Sequence, residues 1–271
     1  MIARLALASA LLAAAPAAAG DDFFVPAPQG TEWGEQVNEH DSLQFSLIPA
    51  GRRNVLLVWG GIEFGDSDRF RTALDAAGPI EEIWLYSGGG KLREGLEIGR
   101  IVRARRLATR IKRGMQCMSA CNFIFMGGTI RYVEMGGDFG VHMFSNKSYV
   151  GDILKRLIGP PPKDIDEFNH NYYELDAEEV QAELDTLNKK DPDHPTTLQE
   201  LLRRYVWEWV LDGGVRSIQQ DSAQTAAEIA RYLVEMSLSL RFLTEFADIP
   251  SSTHHNLTRQ QLRDFNIINT D

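Results

Sequence analysis

Between Asn54 and Met143 short apolar runs alternate with stretches whose apolar residues recur at helical spacing, and glycines separate them. Asn54–Trp59, Ile80–Tyr86, Ala108–Ile111, Ile130–Glu134 and Phe139–Met143 read as strands; Leu43–Ile48, with its alternating pattern, reads as another. Asp66–Ala77, the segment marked by Leu92, Leu96, Ile98, Ile101 and Val102, and Asn122–Met126 read as helices. Asp66 or Ser67 is the expected cap of the first, and Gly78-Pro79 its stop. Strands of this kind, buried on both faces and separated by helices, pair mainly in parallel. The pattern therefore predicts an α/β layered domain.

The texture changes at Ser145. From about 145 to 220 the chain is charged and predicts a helical insertion, with helices near Tyr172–Asn188 and Thr196–Leu211. Leu201, Leu202, Tyr205, Trp209 and Val210 form a broad stripe on the second, a core or subunit contact rather than a ligand box. A long helix is expected over Ala223–Phe246, a short one capped by Thr258, and a closing strand over Phe265–Ile268. Residues 20–271 are read as one domain carrying that insertion.

The amino terminus has the form of an export signal, residues 1–19. Arg4 supplies positive charge, Leu5–Ala15 an apolar stretch and Ala17-Ala18-Ala19 a cleavage site. No later stretch is apolar enough to span a bilayer, so a periplasmic protein without an integral membrane segment is expected. A net charge of −10 argues against nucleic acid as a partner, and the basic stretch Arg100–Arg113 reads as a solvated helix face.

The two cysteines, Cys117 and Cys121, flank Met118-Ser119-Ala120. In an oxidising compartment they are expected to pair and fix the Ser119 turn; two buried thiols are the alternative. Gly90-Lys91 is not a phosphate loop, since Leu92 follows where Ser or Thr is needed. Ser119 is not in a G-x-S-x-G elbow. His142, His170, His194, His254 and His255 show no zinc spacing, and neither metal nor cofactor is expected. Taken singly, Ser119 reads as a helix cap, His142 as a core histidine and Gly88–Gly90 as a tight turn.

Read together, these segments resemble the ClpP/crotonase superfamily, most closely its exported ClpP-like branch. The likeness runs through Gly60-Gly61-Ile62, Gly65-Asp66, Arg69-Phe70, Leu85–Gly90, Glu94-Gly95-Leu96 and Gly99–Val102. It continues through Cys117–Cys121, Gly127-Gly128 with Arg131, Gly140-Val141-His142 and Leu257-Thr258. The resemblance implies Ser119 as nucleophile, His142 as general base, and Gly89, Gly90 and Ala120 as an oxyanion hole. The loop is Ser-Gly-Gly-Gly where the family has Ser-Pro-Gly-Gly, and His254 stands where the triad acid would fall. Asp248 and Asp138 are the candidate acids. The implied activity is a serine peptidase acting on peptides or proteins, as a homo-oligomer. An inactive fold serving as a binding or scaffold protein is the alternative. A crotonase-like acyl-CoA enzyme is set aside because CoA is not expected outside the cytoplasm.

Overall fold

The computed structural model describes residues 24–27, 42–50, 53–143, 155–156, 158–250 and 252–270, so the expected leader over 1–19 lies outside the described residues. The chain divides into two compact units. One comprises the residues up to Val141 together with those from His254 onward; the other is His142–Thr253.

The first unit is α/β with mainly parallel strands, as the alternation predicts. Its elements are β1 (Gln44–Ala50), β2 (Arg53–Trp59), α1 (Asp66–Ala76), β3 (Glu82–Tyr86), α2 (Leu92–Ala104) and β4 (Ala108–Ile111). They are followed by β5 (Gln116–Met118), α3 (Cys121–Gly127), β6 (Arg131–Val133) and β7 (Asp138–Val141). A five-stranded sheet runs in the order β1-β2-β3-β4-β6, parallel except for β1. Consecutive residues Val55–Trp59 are all buried, which is why β2 shows no alternation.

Helices α2 and α3 meet backbone to backbone. A Cβ at Gly127 would overlap the Gly99 carbonyl, and one at Gly95 would lie 2.5 Å from the Ala120 oxygen. Helix α1 departs from expectation at its start. Its N-cap is Gly65 in a left-handed conformation, without a side-chain cap bond. Asp66 is buried instead, accepting the N–H of Leu43 at 3.0 Å and of Glu63 at 2.8 Å and pairing with Arg69. It ties the start of β1 to the loop before α1.

A second sheet places β5 parallel to β7, and β7 antiparallel to β8 (His255–Asn256), which later elements follow. The closing strand expected over Phe265–Ile268 does not form. In the second unit come α4 (Ile165–Asn171), α5 (Ala177–Lys190), α6 (Leu198–Trp209), α7 (Val215–Glu235) and α8 (Arg241–Ala247); α9 (Arg259–Asp264) follows β8 back in the first. After α9 the chain turns through Asn266 at φ 56°, with Ile267 N–H on the Leu262 carbonyl at 2.8 Å, the six-to-one bond of a Schellman end. The Arg131 guanidinium then takes the carbonyls of Ile267 and Asn266, along with that of Gly128. A buried cation thus occupies acceptors that a strand would offer to a neighbour.

In the second unit α6 and α7 are joined by a π-helical turn, Val210–Gly214. The helix expected over Ala223–Phe246 is therefore different in extent: α7 starts earlier and stops at Glu235, before α8. Ser237 at φ 57° ends it, with Leu238 N–H on the Leu233 carbonyl at 2.8 Å. The unit's core is Phe168, Leu202, Val206 and Val210, joined by Tyr172, Tyr205 and Trp209. Among the described residues no helix is long and apolar enough to cross a membrane.

Candidate functional site

The end of β3 and the start of β5 are joined by backbone bonds. Ser87 N–H donates to Gln116 O and Met118 N–H to Ser87 O, each at 3.0 Å. On its other side the glycine loop is held by Ile62, whose N–H donates to Gly89 O at 2.9 Å and whose carbonyl accepts from Lys91 N–H at 2.9 Å. Gly89 and Gly90 sit at φ 96° and 146°, conformations that L side chains rarely adopt. Space imposes glycine as well. A Cβ at Gly89 would lie 2.7 Å from both the Met118 carbonyl oxygen and Ser119 Cβ, and 3.0 Å from Ala120 N. A Cβ at Gly90 would overlap the Ile62 carbonyl. The structure therefore brings together Gly89, Gly90, Ser119 and Ala120, all within the first unit.

Ser119 itself is left-handed, at φ 54°, a conformation that costs a non-glycine residue about 1–2 kcal/mol. Three tethers hold it. Its N–H donates to Gly140 O at 3.2 Å, its carbonyl accepts from Asn122 N–H at 3.0 Å, and Cys117 and Cys121 form a disulfide across it with a Cα separation of 5.3 Å. Ala120 is 2 % exposed. Gly89 N–H donates to Ser87 Oγ at 3.1 Å, whereas the N–H groups of Gly90 and Ala120 have no acceptor among the described residues. Gly90 is exposed, whereas Ala120 is buried, and a buried amide without an acceptor is rare, because it loses its hydration for no compensating bond.

Asn122 escapes sequence reasoning. It is 2 % exposed; its Nδ2 donates to Gly140 O at 2.7 Å, and its Oδ1 is buried with no hydrogen-bond partner. The only available signal is that it is the one polar side chain in the otherwise apolar α3.

Next to the glycine loop, Lys91 Nζ stands 4.5 Å from the centre of the Phe64 ring and 3.4 Å from Glu63, with Phe64 75 % exposed. Glu94 accepts the N–H groups of Gly65 at 3.2 Å and Ser67 at 2.8 Å. Burial alone would raise its pKa, but the bonds from Ser67 and Gly65 favour the anion and hold it below the usual carboxylate range.

His142 belongs to the second unit, and its Nδ1 is 2.7 Å from the carbonyl oxygen of Met143. Asp248 is exposed after α8 in that same unit, and Asp138 is exposed at the first residue of β7. Among the described residues no group of three His, Cys, Asp or Glu side chains is arranged to hold a metal.

No family model matches the chain, and no curated protein does. Solved structures do. An enoyl-CoA hydratase/isomerase from Xanthobacter autotrophicus Py2 matches at 12% identity over 77% of this chain and 98% of that one, with a TM-score of 0.30. An enoyl-CoA hydratase from Shewanella pealeana ATCC 700345 matches at 12% identity over 76% and 93%, with a TM-score of 0.28. A methylmalonyl CoA decarboxylase complexed with 2S-carboxypropyl CoA matches at 10% identity over 82% and 87%, with a TM-score of 0.30. These neighbours are of the crotonase type within the ClpP/crotonase superfamily, and none of the three is a ClpP-like peptidase.

The expectation of a Ser119–His142 serine peptidase is overturned. The matched structures carry the names of CoA hydratases and a CoA decarboxylase, not of proteases or other hydrolases.

Proposed function

We propose that this chain binds an acyl compound of the ester or thioester type and polarises its carbonyl oxygen with backbone N–H groups where the Gly88–Gly90 loop meets the Ser119 turn. The observation that carries this reading is the fit of Gly89 against Met118, Ser119 and Ala120, with no room for a side chain. That fit fixes two backbone segments whose Gly90 and Ala120 amides are bonded to nothing among the described residues. Donors fixed before a substrate arrives stabilise negative charge developing on oxygen without reorganising. In this reading Ser119 contributes its backbone geometry, and the reaction passes through an oxyanion or enolate. An exported location belongs to the proposal, supported by the leader-like residues 1–19 and by the Cys117–Cys121 disulfide.

Cinnamoyl compounds test it, because their absorption moves to longer wavelength when the carbonyl accepts strong hydrogen bonds. The purified protein is titrated with cinnamoyl-CoA, the N-acetylcysteamine thioester and ethyl cinnamate. A shift with at least one of them is expected; it is retained in Ser119→Ala and lost in a folded Gly89→Ala variant. The ligand that shifts identifies the carrier. No shift with any of the three contradicts the reading.

A further inference from the structure

The Ser119 turn is held by bonds of two kinds. Gly140 O accepts both Ser119 N–H and Asn122 Nδ2, which ties the turn to β7 from one side. The Cys117–Cys121 disulfide closes the turn on itself, from the last strand residues of β5 to the first residue of α3. Both cysteines are fully buried, and the left-handed Ser119 is the midpoint of the ring they close. The left-handed conformation costs a serine about 1–2 kcal/mol, so losing one of its tethers favours ordinary backbone angles. Any such reversion moves Ser119 Cβ and Ala120 N, the atoms that a Cβ on Gly89 would meet at 2.7 and 3.0 Å.

We propose that the disulfide is a local clamp that makes the carbonyl site conditional on oxidation: the site is assembled in the oxidised protein and released in the reduced one, while the fold persists. The inference rests on the carbonyl-polarising reading above for its functional consequence, but the clamp itself is a structural claim. The short ring explains why the effect is local. Closing only a few residues removes little entropy from the unfolded chain, so the bond contributes modestly to global stability. Its constraint falls on the residues inside the ring. The Gly140 tethers remain on reduction, so the turn loosens without detaching from β7. In the forward direction the two thiols of Cys117 and Cys121 lose two electrons and two protons to a disulfide oxidant, which leaves as two thiols.

The test uses the full protein in three forms: oxidised, reduced with dithiothreitol, which closes to its own disulfide as the two cysteines become thiols, and Cys117→Ala/Cys121→Ala. Hydrogen exchange is followed at Ser119–Asn122 and at helix α2, together with affinity for whichever cinnamoyl probe binds. Reduction and the double variant are each expected to speed exchange of the turn amides by about tenfold or more, with α2 protection unchanged. Probe affinity is expected to fall by a similar factor. Glutathione disulfide restores the reduced wild type, becoming two glutathione thiols, and leaves the double variant unchanged. Turn exchange that is the same in all three forms overturns the proposal. So does global unfolding on reduction, which would make the disulfide a support of the whole fold. An oxidised protein that binds no probe sinks the carbonyl reading alone, because the exchange comparison still decides the clamp.

Discussion

The two units are held together by different means. In the first, backbone meets backbone: Gly127 against Gly99, Gly95 against Ala120, Gly90 against Ile62, and Gly89 against Met118–Ala120. In the second, side chains set the geometry. Asp164, Asp176 and Thr197 cap α4, α5 and α6, the last with a reciprocal capping box to Glu200. Phe168 stacks with Tyr172 at 4.9 Å and meets Tyr205 edge-on at 6.1 Å. Tyr205 donates to Glu183, which also pairs with Arg204; burial and that carboxylate push the Tyr205 pKa up. Side-chain contacts of this sort tolerate small shifts, whereas a glycine against a carbonyl does not. A site whose donors are main-chain amides belongs in the first kind of construction, because there the amides themselves are what packing fixes.

That contrast can be broken by substitution. The largest effect is expected from Phe168→Ala, which empties the centre of the second unit's core and costs about 4 kcal/mol by urea unfolding. Its signature is hydrogen exchange that rises throughout α4–α6. Unchanged exchange there would mean the aromatic cluster is not the unit's core. Gly127→Ala comes next, at about 3 kcal/mol, since its Cβ has only the Gly99 backbone to displace. A cost below about 1 kcal/mol would show that α2 and α3 can separate, and would weaken the claim that the first unit is rigid. Thr197→Ala should cost about 1 kcal/mol, the usual loss for a removed cap, with Thr197→Asp recovering most of it.

A pH dependence sharpens the comparison further. Glu94 is held below its ordinary value of 4.5 in the folded state. Because the folded-state pKa is depressed, its contribution is complete above the unfolded value and disappears as pH falls through the folded one. Urea midpoints should therefore decline below about pH 4.5, with a shallower decline in Glu94→Gln. Glu134 behaves likewise: burial opposes ionisation, but Lys112, Arg113 N–H and Arg110 outweigh it. Identical pH profiles for wild type and Glu94→Gln would show that the bonds to Gly65 and Ser67 do not favour the anion. The smallest effect is expected from Ser119→Gly, within about 0.5 kcal/mol of wild type, since glycine removes the left-handed strain while adding freedom to the unfolded chain.

The positions of the strands and helices from β2 to α2 in the first unit were legible because continuous apolar runs and helical spacing survive in Val55–Val58 and Leu96–Val102. The glycine loop and the Ser119 turn could be seen as neighbours only through the family resemblance, and their interlock is a matter of ångströms that no residue pattern encodes. Three features were hidden for physical reasons. Helix ends at Ser237 and Asn266 use left-handed residues that are not glycine, so the usual stop signal is missing. The closing strand is only two residues, His255 and Asn256, both exposed, and leaves no periodicity. Asp66 reads as a cap from its position, yet it is recruited into the interior by the amides of Leu43 and Glu63.

The central claim is that the Gly89–Ser119 junction polarises a carbonyl. Isotope-edited infrared spectroscopy of a bound acyl compound, labelled with carbon-13 at the carbonyl, reads that directly. The account predicts a carbonyl band at lower wavenumber in the wild type and in Ser119→Ala than in solution, returning to its solution position in a folded Gly89→Ala variant. A bound carbonyl that vibrates at its solution frequency in the wild type would contradict it.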